Sequence, residues 1–301
     1  MKKQPSLAGP IVTEVRDAVL QPFRPAAASS GYQRIELEYP VHPKPRSLRG
    51  GRAGERLMAQ LATSRPAAQV LVEQAARFHE QFLAIPLEAR SDASGPSWIN
   101  GWFPGLDAVM LYGLLATRNP RLFVEVGSGN STRFARRAIR DHGLRTQIIS
   151  IDPCPRAEID AICDQVVREP LEKVDMGALG RVTAEDLLFV DSSHRSFQNS
   201  DVTVFFTEIL PALPPGLVYG MHDIYLPDDY PIEWAARFYS EQYLLASYLQ
   251  GGADGDEILA PLAYLWQDTD LPSAFARTFD QLGLAPGLRY GNSFWMRKGA
   301  R

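Results

Sequence analysis

Leu122-Phe-Val-Glu-Val-Gly127-Ser-Gly129-Asn-Ser131-Thr132 is the stretch that decides the fold. An apolar, β-branched run leads into two glycines one residue apart, and two hydroxyl side chains follow, a pattern of strand, tight turn and helix. Gly127 and Gly129 let the backbone turn sharply and approach a ligand closely. Ser131 or Thr132 is placed to cap a helix expected over about 133–141, leaving its first N–H groups free for a partner.

Three more apolar runs end in polar residues. Gln147-Ile-Ile-Ser-Ile151 ends in Asp152, Leu187-Leu-Phe-Val190 in Asp191-Ser-Ser-His194, and Leu217-Val-Tyr-Gly-Met221 in His222-Asp223. Helical patterns precede the first strand (106–116) and separate the last two (202–210). Strands alternating with helices predict an α/β fold: a doubly wound, Rossmann-like, mainly parallel sheet with helices on both faces. The carboxyl ends of such strands open into one crevice, so Asp191, His194, His222 and Asp223 converge there despite their separation in sequence.

The turn also says what the crevice holds. Asp152, at the end of the second strand and about 20 residues beyond the glycines, suits bidentate bonding to the two hydroxyls of a ribose. Thr132 stands where a dinucleotide fingerprint has a small third residue, and Glu125 two residues before Gly127 would repel a pyrophosphate. A carboxylate there suits a cationic, amino-acid-bearing nucleoside, so S-adenosylmethionine is expected rather than NAD. The expected cofactor residues are Glu125, Gly127, Ser128, Gly129, Ser131, Thr132, Asp152 and Pro153. Glu169 and Pro170 after the third strand, with Asp191 and Ser192 after the fourth, would flank the adenine.

Composition narrows the field less. The chain has 301 residues, 45% of them hydrophobic, enough for one large core or a core with a small extra module. A net charge of −4 and a pI near 5.8 give no electrostatic footprint for nucleic acid. Two cysteines make no disulfide framework, and no long apolar segment follows Lys2-Lys3, so no membrane partner and a cytoplasmic location are expected. Residues 1–50, rich in Pro, Ala and Arg, read as an extended arm suited to assembling copies of the chain. Residues 51–100 read as a helical segment interrupted near Pro66, and 101–301 as the catalytic domain with an aromatic, helical insertion at about 225–255, its helix spanning 233–249. His42, His79 and His142 have no partner pattern and read as structural or surface residues.

Taken in order, these motifs resemble a known family. Glu-Val-Gly-Ser-Gly-Asn-Ser-Thr with Ile-Asp-Pro is similar to the class I S-adenosylmethionine-dependent methyltransferases. Asn100-Gly-Trp-Phe103 with Leu106-Asp-Ala, Phe189-Val-Asp-Ser-Ser-His194, Asn199-Ser-Asp201 and His222-Asp-Ile-Tyr-Leu-Pro-Asp-Asp-Tyr-Pro231 resemble a bacterial methyltransferase-domain subfamily of mostly unassigned substrate. The resemblance covers roughly residues 95–298, implies seven strands, and departs at Cys154, where a polar residue often lines the ribose pocket.

It implies methyl transfer to the hydroxyl of a small-molecule acceptor. Positioning supplies most of the acceleration, and a base or a metal eases loss of the hydroxyl proton. Metal-dependent O-methyltransferases place carboxylates as Asp191 and His222-Asp223 stand, which makes these three candidate ligands for Mg²⁺ or a similar divalent ion. Without metal, His194 or His222, with Asp223 alongside, would handle the proton. Two other classes stay open: a metal-dependent hydrolase or oxygenase built on the Asp and His residues, which leaves the glycine turn without a task, and a non-catalytic cofactor-binding or interaction module.

Overall fold

The structure is a computed structural model that describes residues 38–89, 95–155, 157–174 and 182–300. Most of the expected N-terminal arm, residues 1–37, lies outside the described residues. The chain divides into two compact units, Met1–Pro43 and Lys44–Arg301. Residues 44–50, expected in the arm, therefore belong to the larger unit. Arg49 anchors them, its guanidinium bonding Asp228 at 2.7 and 2.8 Å and Asp268 at 2.8 and 2.9 Å.

Three helices follow: α1 (Gly51–Ala62), α2 (Arg65–Ala76) and α3 (His79–Leu83). Pro66 sits in the first turn of α2, where its missing N–H leaves no intrahelical bond unmade, so the expected interruption is the gap between α1 and α2. Helix α4 (Gly105–Arg118) is largely apolar, with Asp107 the exception among residues 105–115, all of which are buried. Its Gly113 meets Ala75 of α2 so closely that a Cβ there would stand 2.5 Å from the Ala75 Cβ. A bulkier residue would push the two helices apart.

Strands β1 (Leu122–Val126), β2 (Gln147–Ile151), β3 (Gln165–Val167), β4 (Leu187–Val190), β5 (Val218–Met221), β6 (Glu257–Pro261) and β7 (Phe294–Arg297) form one sheet in the order β3-β2-β1-β4-β5-β7-β6. Neighbours from β3 to β5 pair in parallel, and β7 runs antiparallel to both β5 and β6. Helices cover both faces, as predicted. All residues of β1, β4 and β5 are buried, the signature of a sheet enclosed on both sides. Gly220 is required by packing: a Cβ on it would lie 2.6 Å from the Trp295 ring, which stacks on Phe189 with centroids 5.2 Å apart.

The register explains why a site forms. Val126 is opposite both Ile151 and Val190, and Val190 is opposite Met221, so the four strand ends are level. The ladder then extends one residue further through Gly127 N–H to Ile151 O at 2.9 Å, Asp191 N–H to Val126 O at 2.7 Å and His222 N–H to Val190 O at 2.9 Å. Gly127, Asp152, Asp191 and His222 thus stand along one edge.

Two helices differ from expectation. Helix α5 (Asn130–His142) starts earlier than the cap residues suggested, with Gly129 as its N-cap. The helix expected over 233–249 is broken: a 3₁₀ segment, Ile232–Arg237, stops at Phe238, whose left-handed backbone (φ 54°) ends it, and α7 (Glu241–Gln250) begins afresh. Helix α6 (Asp201–Val204) runs on through a π-helical stretch, Phe205–Ile209, because Pro211 has no N–H to bond back one turn. Helices α8 (Leu262–Asp268) and α9 (Ala276–Leu282) lead into β7. Among the described residues no helix is long and apolar enough to cross a membrane.

Candidate active site

The turn after β1 is locked against the strand beside it. Gly127 has φ +77°, and a Cβ there would fall 1.8 Å from the carbonyl oxygen of Asp191. Only glycine fits. Ser128 N–H donates to Asp152 Oδ2 and Cys154 N–H to Asp152 Oδ1, each at 2.8 Å, so the carboxylate braces both loops before any ligand arrives. Thr132 acts from the third position of α5 rather than as a cap: its hydroxyl accepts the Gly129 N–H at 2.9 Å and donates to Glu125. Burial pushes the Glu125 carboxyl up to about 8; the Ser131 and Thr132 hydroxyls oppose this in part, and the negative fields of Asp191 and Asp152 add to it.

In front of the turn opens a cavity of about 420 Å³. Gly127, Ser128, Gly129, Asp152, Pro153, Pro170, Asp191 and Ser192 line it, as eight of the expected cofactor residues. Glu125, Ser131, Thr132 and Glu169 are not in its wall. The first three are buried behind the turn and shape it, and Glu172 rather than Glu169 borders the space. Trp102, Asn130, Leu171, Ser193, Ser200 and Asp201 complete much of the lining. No sequence pattern marks Asn130 or Glu172 for this, although Asn130 sits inside the glycine motif itself.

Beside the cavity the two histidines and their acids gather. His194 Nε2 lies 3.2 Å from Asp191 Oδ1 and 3.4 Å from Asp223 Oδ2, while its Nδ1 bonds Glu241 Oε2 at 2.8 Å. His222 Nδ1 lies 3.3 Å from Asp191 Oδ1 and 3.5 Å from Asp223 Oδ1, and its Nε2 is 3.4 Å from Asp107. Asn292 Nδ2 donates to Asp223 Oδ1 at 2.9 Å. Glu241, Asp107 and Asn292 come from α7, α4 and the approach to β7; Asp107 lies in the Leu106-Asp-Ala motif without a role read from it, and only the fold brings the three to the histidines.

His194 and Asp223 both adopt left-handed backbone, φ 59° and 54°, which costs a non-glycine residue on the order of 1–2 kcal/mol. The surroundings hold them there. The His194 carbonyl accepts the N–H groups of Ser240 at 2.7 Å and Glu241 at 3.2 Å, so the insertion grips the strained residue directly.

The charges are strongly coupled. Burial opposes protonation of His194, but bonds to Asp191 and Glu241 and the field of Asp223 outweigh it and hold the ring's pKa well above that of an ordinary histidine. His222 is raised in the same way, against its burial, by Asp191, Asp223 and Asp107. Asp191, in turn, is held below the usual carboxylate range by the two rings despite its enclosure.

One ligand atom each from Asp191, His194 and Asp223 lie within 4.8 Å of one another, close enough to hold one cation. Two of the three expected metal ligands belong to this group, with His194 in the place expected for His222. The donor set fits a divalent ion in its chemistry: two carboxylates, plus an imidazole whose Nδ1 is fixed by Glu241 and whose Nε2 faces them. Binding would displace the proton from Nε2.

Residues 124–224 match the model of a family described as a methyltransferase domain. Over this stretch the chain is similar to a methyltransferase domain. The match takes in the glycine turn, Asp152, Asp191, His194 and His222-Asp223, so the geometry above is that domain's crevice. Among solved structures the chain is similar to the SAH-bound PaMTH1 of Podospora anserina, at 15% identity over 64% of this chain and 78% of that one, with a TM-score of 0.39. It is also similar to TomG, an O-methyltransferase of Streptomyces achromogenes involved in tomaymycin synthesis, at 16% identity over 81% and 99% of the chains and a TM-score of 0.37. The O-methyltransferase of Bacillus cereus gives 13% identity, 80% and 98% coverage, and a TM-score of 0.32. No curated protein matches the chain significantly.

Proposed function

We propose that this methyltransferase transfers a methyl group from S-adenosylmethionine to a hydroxyl of a small molecule. The observation that carries the reading is the juxtaposition of one cavity with two differently built ends. At one end stand the open glycine turn and Asp152, suited to a nucleoside with a ribose. At the other, Asp191 belongs both to the cavity wall and to the Asp191, His194 and Asp223 group. An acceptor oxygen placed beside Asp191 would therefore face the cofactor. Holding the two in line supplies most of the acceleration.

The acids around His194 and His222 favour protonated rings, and a protonated ring cannot take a hydroxyl proton. What supports the cation reading is the placement of the carboxylates of Asp191 and Asp223 around the Nε2 of His194, a negatively charged pocket that attracts a cation. A divalent ion held by Asp191, His194 and Asp223 would act as a Lewis acid on the acceptor hydroxyl. Glu241 keeps the imidazole turned towards the carboxylates, and Asn292 holds Asp223.

Calorimetric titration with S-adenosylmethionine, S-adenosylhomocysteine and NAD tests the cofactor. The first two bind and NAD does not, and Asp152→Ala weakens binding by about 2–3 kcal/mol through loss of a charged bidentate contact. Unchanged affinity in that variant defeats the assignment. For the chemistry, Asp191→Asn and Asp223→Asn leave S-adenosylhomocysteine binding nearly intact while turnover collapses, and chelation of the wild type reproduces the loss. Methylation found only at nitrogen or carbon overturns the hydroxyl.

A further inference from the structure

The guanidinium of Arg237, last residue of the 3₁₀ segment in the insertion, is surrounded by aromatic rings: its carbon lies 4.2 Å from the centroid of Trp234, 5.6 Å from Tyr239 and 6.0 Å from Trp102. Arg195 stands beside it, 5.2 Å from the same Tyr239 ring, with its Nε bonded to the Arg237 carbonyl at 2.7 Å and its Nη1 to the Ser193 carbonyl at 3.1 Å. Both positions border the catalytic crevice. Trp102 and Ser193 line the cavity, and Tyr239 packs on the His194 ring with centroids 4.7 Å apart.

What these two cations lack is an acid. Arg49, Arg136, Arg137, Arg168 and Arg289 each form an ion pair with an aspartate, whereas among the described residues neither Arg195 nor Arg237 has a carboxylate within ion-pair distance. A guanidinium stacked on rings is held by its faces and keeps its N–H edges free, and those edges match the geometry of a carboxylate or phosphate. Arg237 makes no side-chain hydrogen bond among the described residues, so all of its donors remain for a ligand. Both half-buried cations reach the cavity wall through these partners, Arg237 at the Trp102 ring and Arg195 at the Ser193 carbonyl.

We propose that the acceptor carries an oxyanion, a carboxylate or a phosphate, close to the hydroxyl that is methylated, and that Arg237, with Arg195 beside it, receives that anion. The inference rests on the reading of the crevice as a site of methyl transfer to a small molecule. It adds the acceptor's chemical class: an anionic hydroxy compound, selected by the insertion.

The test uses the full chain saturated with S-adenosylhomocysteine and three probes of similar size, 4-hydroxybenzoate, 4-hydroxyphenyl phosphate and the neutral 4-hydroxybenzamide. At least one anion binds about tenfold or more tighter than the amide, the scale of a charge-assisted hydrogen bond, and the stronger of the two shows which oxyanion is recognised. Arg237→Gln removes that preference while leaving amide and S-adenosylhomocysteine affinities unchanged. Arg237→Lys, which keeps the charge and loses the planar fork, retains part of it, and melting curves of both variants show whether the fold is intact. Equal binding of the three probes, no binding of any, or a preference that survives in Arg237→Gln overturns the inference. Failure to bind S-adenosylhomocysteine would instead bring down the methyl-transfer reading itself.

Discussion

Replacing Gly127 with alanine tests the central structural claim, that the cofactor turn is seated against the Asp191 peptide. The added Cβ would lie 1.8 Å from the Asp191 carbonyl oxygen and 2.6 Å from its carbon, with φ at +77°. Left-handed backbone costs a non-glycine residue roughly 1–2 kcal/mol. Relief of the overlap requires that peptide to move by more than about 1 Å, since contacts shorter than 3.0 Å are not tolerated. The movement strains the 2.7 Å bond from Asp191 N–H to Val126 O, whose loss adds about 1 kcal/mol. A total of about 2–3 kcal/mol corresponds to a fall in Tm of about 4–12 °C for a body of this size. Gly129→Ala provides the contrast of a turn glycine without the overlap: an added Cβ would meet nothing within 4 Å, and the change should cost less than Gly127→Ala. Denaturant unfolding and titration with S-adenosylhomocysteine of both variants decide it. Gly127→Ala within about 0.5 kcal/mol of the wild type, with unchanged affinity, would show that the turn is not locked against β4.

Two further changes probe buried charge. Because folding raises the Glu125 pKa from 4.5 to about 8, its contribution to stability is complete below about pH 4.5 and is lost as pH rises to 8, a span worth at most about 5 kcal/mol; in unfolding series between pH 5 and 8, Glu125→Gln should gain on the wild type as pH rises. Lys298 is buried with Nζ 3.1 Å from the buried Asp256 and 3.3 Å from Asp254; Lys298→Met removes the cation while Asp256 keeps its bonds from Tyr219, Tyr248 and Gly299, and should cost about 1–3 kcal/mol in denaturant unfolding.

The parts of this molecule legible in the sequence are those where backbone conformation is the constraint. The glycine turn, the level strand ends and Asp152 follow from residues adjacent in the chain, because a strand that ends in glycine and feeds a helix has few ways to fold. The capping residue is harder to read. Thr132 has the chemistry of a cap and instead reaches from the third helical position to both Gly129 and Glu125, a choice made by the buried carboxylate below it. Glu241 illustrates what a linear reading misses. It lies on α7 among aromatic residues whose spacing suggests a continuous helix, yet Phe238 breaks that helix and swings the start of α7 onto His194. Asp107 and Asn292 reach the site by the same kind of long-range packing; Leu106-Asp-Ala marks Asp107 as part of a motif but not as a partner of His222.

The Asp191 residue belongs to two places at once. Its carbonyl is the wall against which Gly127 turns, and its side chain meets both histidines. A ligand that shifts this peptide from the cofactor side must also alter the electrostatic well on the other side, and thermodynamic reciprocity then makes the influence mutual. Donor and acceptor sites so joined bind as partners rather than as independent guests: whatever the first arrival does to the affinity of the second, the second does in equal measure to the first.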